Sequence, residues 1–172
     1  MAIKRPKKGE FAPFHETYLN AAPTGNLLAL LRKNLKETQN AFLAFAGGHE
    51  NFAYAEGKWT VKQLLAHMID TERVFSFRAL WFSKMEKQPM PGFNQDHWME
   101  QTDVSKKSLA ELLKELKTVR ENSISIFKNM TEAQSKFIGS ASGWPVSART
   151  MGWCVLGHCV HHLTILRERY RP

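Results

Sequence analysis

The chain has 172 residues, of which 43% are hydrophobic and 23% charged, a composition that excludes fibrous and intrinsically disordered chains and predicts one globular domain. No apolar run approaches the roughly 18 residues that cross a bilayer, and the charged N-terminus lacks the apolar stretch of a secretory signal, so we expect neither. The net charge of +8 is concentrated near the chain ends, and the basic residues are not interleaved with aromatic ones, so we expect no nucleic-acid partner.

Residues 1–18 are predicted to form a basic N-terminal arm, followed by a domain that spans residues 19–172. Four of the first ten residues are Lys or Arg, and only Glu10 opposes them. Pro6 and Pro13 interrupt a segment that has little helical periodicity. We interpret this segment as an arm that is either solvated or packed across the domain, and we expect removal of residues 1–10 to change the stability of the domain very little.

The first two of four long helices have clear boundaries in the sequence. From Asn26, leucine and phenylalanine recur at spacings of three, four and seven residues until Gly47 and Gly48 end the pattern. The second helix begins at Thr60, which forms a capping box with the glutamine three residues later. It then runs without glycine or proline to the proline-rich segment that starts at Pro89.

A long connection over residues 88–107 leads to the third helix and includes the apolar loop PMPGFNQDHW, which is expected to cover the core or to line a pocket. Ser108 and Glu111 form the capping box of the third helix, and Thr131 opens a short extra turn. The segment SASGWPVS is interpreted as a turn-rich loop, and Ser147 as the N-cap of the last helix. The chain is therefore predicted to be all-α, a four-helix bundle with a long crossover between helices two and three.

Three histidines are the candidate metal ligands. His158 and His162 are four residues apart in the last helix, so both imidazoles can reach one ion at about 2.0–2.1 Å. His67 lies on the apolar face of the second helix, whereas His161 points about 60° away from His158 and is less suited. Buried imidazoles without partners are costly, which favours a shared ion. On spacing alone, ordinary core histidines remain the alternative.

Three segments, KWTVKQLLAH, PMPGFNQD and GHCVHH, occur in this order along the chain. They resemble the motifs W-[ST]-x-x-[EQ]-x-x-x-H, L-P-G-F-[DN] and G-H-x-x-H-H of the DinB/YfiT-like superfamily, with Met90 in place of the leucine. The resemblance implies a four-helix bundle in which His67, His158 and His162 bind a divalent metal such as zinc or nickel. It also implies a homodimer that acts on a small molecule.

Relatives in this superfamily include bacillithiol S-transferases and a mycothiol-dependent isomerase. The resemblance therefore implies a metal-dependent transferase that joins a low-molecular-weight thiol to an electrophile. A metal-dependent hydrolase and a non-catalytic bundle that binds a metal or a small molecule are the alternatives. Cys154 and Cys159 are too far apart on one helix for a disulfide, so we expect the reducing cytoplasm.

Four further residue types near these motifs have competing interpretations. Arg78 lies nearly in line with His67 on the second helix, and it is either ion-paired or holds an anionic group of the substrate. Glu72 is expected to form a salt bridge rather than to bind metal. Trp59 is expected to pack on the start of its helix. The two cysteines are expected to be buried packing residues rather than nucleophiles.

Overall fold

The computed structural model describes residues 2–171, and its four longest helices form a bundle. These helices are α2 (Leu27–Leu43), α3 (Val61–Ser83), α5 (Leu109–Lys128) and α7 (Ala148–Arg169). The shorter helices are α1 (Glu16–Ala21), which follows a 3-10 turn at Pro13–His15, α4 (Gln95–Glu100) and α6 (Glu132–Lys136). Within residues 2–171, no helix is long and apolar enough to cross a membrane. The predicted all-α bundle is confirmed.

The helix starts follow the sequence closely because side-chain caps fix them. At each predicted N-cap, the side-chain oxygen accepts the backbone N–H three residues later; these residues are Thr60, Ser108, Thr131 and Ser147. Asn26, from which the first helical pattern starts, caps α2 in the same way. The end of α3 is less well predicted. It lies at Ser83, before the proline-rich segment, and Met85 there adopts a left-handed backbone with φ 57°.

The order of the helices in the bundle differs from a simple up-down arrangement. Helices α2 and α3 each pack against both α5 and α7. The sequential neighbours α2 and α3 therefore lie diagonally across the bundle, and α3 and α7 lie side by side. The predicted long crossover is present as residues 84–108, and it carries α4, which contacts α3.

The interpretation of SASGWPVS as a loop without strands is wrong. Strands β1 (Ile138–Ala141) and β2 (Trp144–Ser147) form an antiparallel hairpin in which Ala141 pairs with Trp144. The two residues between them, Ser142 and Gly143, have φ of 55° and 80°, as a tight two-residue hairpin turn requires. The strands are four residues long, too short for an alternating pattern to be visible in the sequence.

The segment before the first helix packs on the bundle, which is the second of the two alternatives for the N-terminal arm. Ile3 is 3% exposed, and the indole N–H of Trp153 donates to the carbonyl of Lys4 at 3.1 Å. The guanidinium of Arg5 donates to the carbonyl of Leu19 at 2.8 Å and to that of Ala22. These carbonyls at the end of α1 have no partner within the helix, so a basic residue of the segment supplies one.

Glu10 fastens the same segment to the start of α7. Its carboxylate accepts hydrogen bonds from the Ser147 hydroxyl at 2.9 Å and from Arg149 Nε at 2.6 Å. Its backbone carbonyl accepts from the Thr150 hydroxyl at 2.8 Å. Glu10 and Arg149 are 8% and 3% exposed, so this is a buried ion pair rather than a surface contact.

A second buried ion pair lies inside the bundle and confirms the expected salt bridge of Glu72. Arg120, which is 0% exposed, donates to both carboxylate oxygens of Glu72 at 2.8 and 2.9 Å. Ser123 donates to the same carboxylate, and Arg120 also donates to Asn34. The carboxylate of Glu72 is thus fully engaged away from the histidines.

Candidate metal centre

Adjacent helices bring the three predicted histidines together. Helix α3 supplies His67, and α7 supplies His158 and His162. The Nε2 atom of His67 lies 3.0 Å from that of His158 and 3.2 Å from that of His162, and the last two are 3.0 Å apart. All three side chains are buried. The i,i+4 spacing on α7 and the contact between α3 and α7 together create this triangle.

The triangle has the dimensions of a metal-binding set. Two imidazole nitrogens that share one ion at 2.0–2.1 Å, with angles between 90° and 110°, are about 2.8–3.4 Å apart. The observed separations of 3.0–3.2 Å fall within this interval. A neutral imidazole carries a single N–H, so three converging Nε2 atoms cannot all be satisfied by hydrogen bonds to one another. The residues present therefore fit a divalent ion.

The cluster is electrically neutral at pH 7. Burial lowers the pKa of His67 to about 4, although the negative charge of the nearby Asp96 carboxylate acts in the opposite direction and raises this pKa. Burial and the neighbouring imidazoles lower the pKa of His162 to about 3, and that of His158 lies well below its ordinary value for the same reasons. Neutral imidazoles present free lone pairs, which metal binding requires.

Aromatic rings enclose the cluster. The ring of Trp59 lies 4.7 Å from that of His67, centroid to centroid. Tyr18 and Phe75 pack edge-on against His158, at 5.2 and 6.0 Å. Trp59 was predicted only as a packing residue at the start of its helix, and here it also covers a histidine. The rings restrict water and fix the imidazoles in place.

Two clefts meet at the histidines from different sides. One, the Trp59 cleft, has a volume of about 290 Å³ and reaches His162. The other, the Arg78 cleft, has a volume of about 270 Å³ and reaches His158. Gln95, at the start of α4, lines both clefts. Other residues of the Trp59 cleft include Tyr54, Lys58, Asp96 and Tyr170, and those of the Arg78 cleft include His15, Tyr18, Thr71 and Phe93.

Arg78 lies in one of these clefts rather than in an ion pair. It is 5% exposed, and its Nη2 donates to the carbonyl of Pro91 at 2.6 Å and to the Ser142 hydroxyl at 3.2 Å. Of the two expectations for the PMPGFNQDHW loop, the second applies, because Phe93 and Gln95 lie on the cleft wall. Arg78 connects this loop to the hairpin turn.

The remaining predicted residues lie outside the cluster. His161 is half-buried and packs against His162 without joining the triangle. Cys154 and Cys159 are fully buried, and burial raises the pKa of both thiols. Neutral thiols that line neither cleft fit the expected packing role.

Four residues at the site were missed by the sequence analysis. Gln95 and Asp96 belong to the PGFNQD segment, which was singled out only as a loop. Thr71 lies one helical turn after His67, a spacing that places it on the same face. Tyr18 lies in α1, a six-residue helix with no periodic signal.

Comparisons with known proteins agree with this fold. The model of the DinB superfamily matches residues 26–166. The structure titled "YfiT from Bacillus subtilis is a probable metal-dependent hydrolase with an unusual four-helix bundle topology" matches with a TM-score of 0.70 and 17% identity, over 97% of this chain and 93% of that one. A comparison with curated proteins found no match. Because the family model covers most of the chain, the protein belongs to the DinB superfamily.

Proposed function

We propose that the protein is a metal-dependent enzyme in which His67, His158 and His162 hold one divalent ion. The observation that carries this proposal is the triangle of Nε2 atoms with sides of 3.0–3.2 Å. Neutral nitrogen ligands suit zinc or nickel better than magnesium or calcium, which prefer oxygen. The description of YfiT, which shares the fold, as a probable metal-dependent hydrolase supports the same class.

Three protein ligands are the arrangement of a catalytic rather than a structural site, because a position stays open for a reactant. When bound there, a divalent ion lowers the pKa of a water or thiol and so supplies a nucleophile at neutral pH. The protein's own part is to position the reactants. Trp59 and Tyr18 restrict water around the imidazoles, and the two clefts lead reactants to His162 and His158.

The finer proposal is a transferase that joins a low-molecular-weight thiol to an electrophile. Two clefts that each reach a histidine of the cluster support it, because one can admit a thiol and the other an electrophile. In this reaction the thiolate sulfur forms a bond to the electrophilic carbon, and the leaving group departs with the bonding electron pair. The thiol proton passes to solvent.

Hydrolysis is the second candidate, and one residue favours it. Asp96 is an exposed carboxylate on the Trp59 cleft, near His67 and His162. A carboxylate in that place can accept a proton from an attacking water, which a hydrolase requires. The sequence analysis found no such base.

Metal binding is tested with tag-free protein and elemental analysis after loading with zinc or nickel. We expect about one ion per chain for the wild type, because the three Nε2 atoms form one site. His67→Ala, His158→Ala and His162→Ala should each weaken binding at least tenfold. His161→Ala and His97→Ala are the matched controls and should bind as the wild type does. Loss of binding in His161→Ala, with retention in His162→Ala, would show that the ligand set is wrong.

Activity is tested with the loaded protein and two assays. Glutathione or bacillithiol with monochlorobimane reports thiol transfer by fluorescence, and p-nitrophenyl acetate reports hydrolysis. Transfer that needs both thiol and metal supports the transferase, with Asp96→Asn close to wild type. Thiol-independent hydrolysis that Asp96→Asn reduces about a hundredfold supports the hydrolase. Metal binding with neither reaction supports the non-catalytic bundle.

A further inference from the structure

Arg78 is a buried cation without a carboxylate partner. The three arginines that are most buried are Arg120, Arg149 and Arg78, at 0%, 3% and 5% exposure. Arg120 pairs with Glu72 and Arg149 with Glu10. No carboxylate within residues 2–171 forms an ion pair with Arg78. Buried charges in proteins are normally paired, so this arginine differs from the other two in a way that calls for an anion.

The guanidinium of Arg78 is held in place but not neutralised. Its Nη2 donates to two uncharged oxygens, the carbonyl of Pro91 and the hydroxyl of Ser142. Its Nε is buried and has no partner among the described residues. A fixed guanidinium with a free N–H is prepared to form a charge-assisted hydrogen bond with an oxyanion.

The surroundings of Arg78 form a path toward the histidine cluster. His67, Thr71 and Arg78 lie in one row along α3, about 16 Å from end to end along the helix axis. Thr71 also lines the Arg78 cleft, and its hydroxyl is buried without a partner among the described residues. His158 closes the cleft at the other end. The cleft thus has a cation at one end, a free hydroxyl between, and the candidate metal ligands at the other end.

The walls of the Arg78 cleft combine aromatic rings with polar side chains, and no acidic residue lines it. Phe14, Phe75 and Phe93 supply the aromatic surfaces. The Cζ atom of Arg78 lies 6.0 Å from the centre of the Phe93 ring. Burial and the charge of Arg78 lower the pKa of the facing His15 to about 4, so His15 is neutral at pH 7. With a volume of about 270 Å³, the cleft suits a small molecule.

We propose that the Arg78 cleft binds a small substrate that has a carboxylate or a similar oxyanion on an apolar body. The oxyanion of this molecule pairs with Arg78, and its apolar body lies between the phenylalanine rings. The Thr71 hydroxyl binds a polar group of the same molecule, between the oxyanion and the end that faces His158. A reaction at the other end of this molecule, next to the histidines, is expected only if the proposed function is right, and this part rests on the proposed function. The oxyanion site itself does not.

A purely structural role for Arg78 makes a different prediction. If Arg78 only connects Pro91 to the hairpin turn at Ser142, then its loss changes the melting temperature but not the selectivity for anions. The test therefore measures ligand selectivity as well as stability.

The probes are 4-fluorobenzoate and 4-fluorobenzamide, which have the same shape but differ in charge. Their binding is followed by ¹⁹F NMR on chelator-treated protein and on zinc-loaded protein. We expect 4-fluorobenzoate to bind the metal-free wild type at least tenfold more tightly than the amide, because only the carboxylate pairs with Arg78. Arg78→Met should weaken benzoate binding at least tenfold. Arg73→Met removes a cation from the same helix outside the cleft and should change nothing.

Other results would overturn the inference. The inference is wrong if the two probes bind equally tightly or if the benzoate shows no saturable binding. It is also wrong if Arg78→Met binds the benzoate as tightly as the wild type does. Benzoate binding that needs zinc and is the same in Arg78→Met would place the carboxylate on the metal, which refutes the Arg78 site and leaves the proposed function intact. Arg78-dependent binding to a protein that binds no metal would support the Arg78 site and refute the proposed function.

A measurement on the wild type covers the case in which Arg78→Met fails to fold. The ¹H–¹⁵N resonance of Arg78 Nε is assigned by its absence from the spectrum of Arg78→Lys. We expect this resonance to shift on titration with 4-fluorobenzoate and to stay in place with 4-fluorobenzamide. A resonance that does not respond to the benzoate would refute the pairing.

Discussion

Replacing Glu10 by alanine should destabilise the protein strongly, although the residue lies in a segment that its composition describes as a polar arm. Burial raises the pKa of Glu10, but the hydrogen bonds from Arg149 and Ser147 outweigh it and hold the pKa below its ordinary value. The carboxylate is therefore charged at pH 7. Glu10→Ala leaves the guanidinium of Arg149, which is 3% exposed, without its partner.

Breaking a buried ion pair by removing one partner costs about 3–5 kcal/mol. We take the lower end, about 3 kcal/mol, because the segment lies at the surface of the bundle and water can approach the freed guanidinium. For a chain of this size, each kcal/mol lowers the melting temperature by about 2–4 °C. The expected decrease is therefore about 6–12 °C.

Thermal unfolding followed by circular dichroism measures this change. Lys4→Ala is the matched control, because Lys4 forms only an exposed pair with Glu132, at 3.4 Å with side chains 69% and 46% exposed. Such a pair contributes about 0–1 kcal/mol, so the control should melt within about 4 °C of the wild type. The double variant Glu10→Met with Arg149→Met should lose less unfolding free energy than the sum of the losses in the two single variants.

A melting temperature of Glu10→Ala within about 2 °C of the wild type would refute the reasoning. It would mean that the segment detaches at no cost and that the solvated-arm interpretation was right. Additive effects in the double variant would show that the two side chains do not interact in solution.

Three further predictions concern a close contact, two thiols and one imidazole. Gly157→Ala should destabilise the protein, because a Cβ there would lie 1.8 Å from the carbonyl oxygen of Tyr18. This clash outweighs the gain of about 1 kcal/mol in helix propensity. A raised urea midpoint of unfolding would contradict this prediction. Cys154 and Cys159 should not react with a disulfide reagent such as Ellman's reagent in the native protein and should both react in denaturant, because burial raises the pKa of both thiols. Burial lowers the pKa of His15 to about 4, so between pH 6.5 and 4 the unfolded chain binds a proton that the folded chain does not. The free energy of unfolding of the metal-free protein should thus fall as the pH falls through this interval. His15→Gln should make this free energy depend less steeply on pH. Urea titrations at several pH values measure the dependence, and an identical dependence in His15→Gln would contradict the lowered pKa of His15.

The parts of the fold that local chemistry determines were predicted well. Thr60 and Ser108 illustrate this, because each forms a capping box with a residue three positions later, and both boxes are present. The convergence of His67 with His158 and His162 was also predicted. It follows from an i,i+4 pair and one inward-facing histidine once the helices form a bundle.

The parts that depend on distant partners were not predicted. The sequence assigns Arg5 and Glu10 to an arm because their partners are not visible in it. Arg5 binds a backbone carbonyl, that of Leu19, and Glu10 binds Arg149, which is distant in the chain. The same reason applies to the diagonal placement of α2 and α3, whereas the hairpin was missed because its strands are only four residues long. The homodimer implied by the family resemblance stays a prediction.

The position of α7 in the chain has a consequence for how the protein is made. This helix packs against α1, α2 and α3, and it supplies two of the three clustered histidines. It is also the last of the four long helices to leave the ribosome. Until it emerges, the nascent chain exposes the faces of α2 and α3 that α7 covers, and the N-terminal segment has no Arg149 or Trp153 to bind. Contacts between distant parts of the chain form late, so the bundle completes its core only after synthesis of α7, and until then the exposed apolar faces favour aggregation.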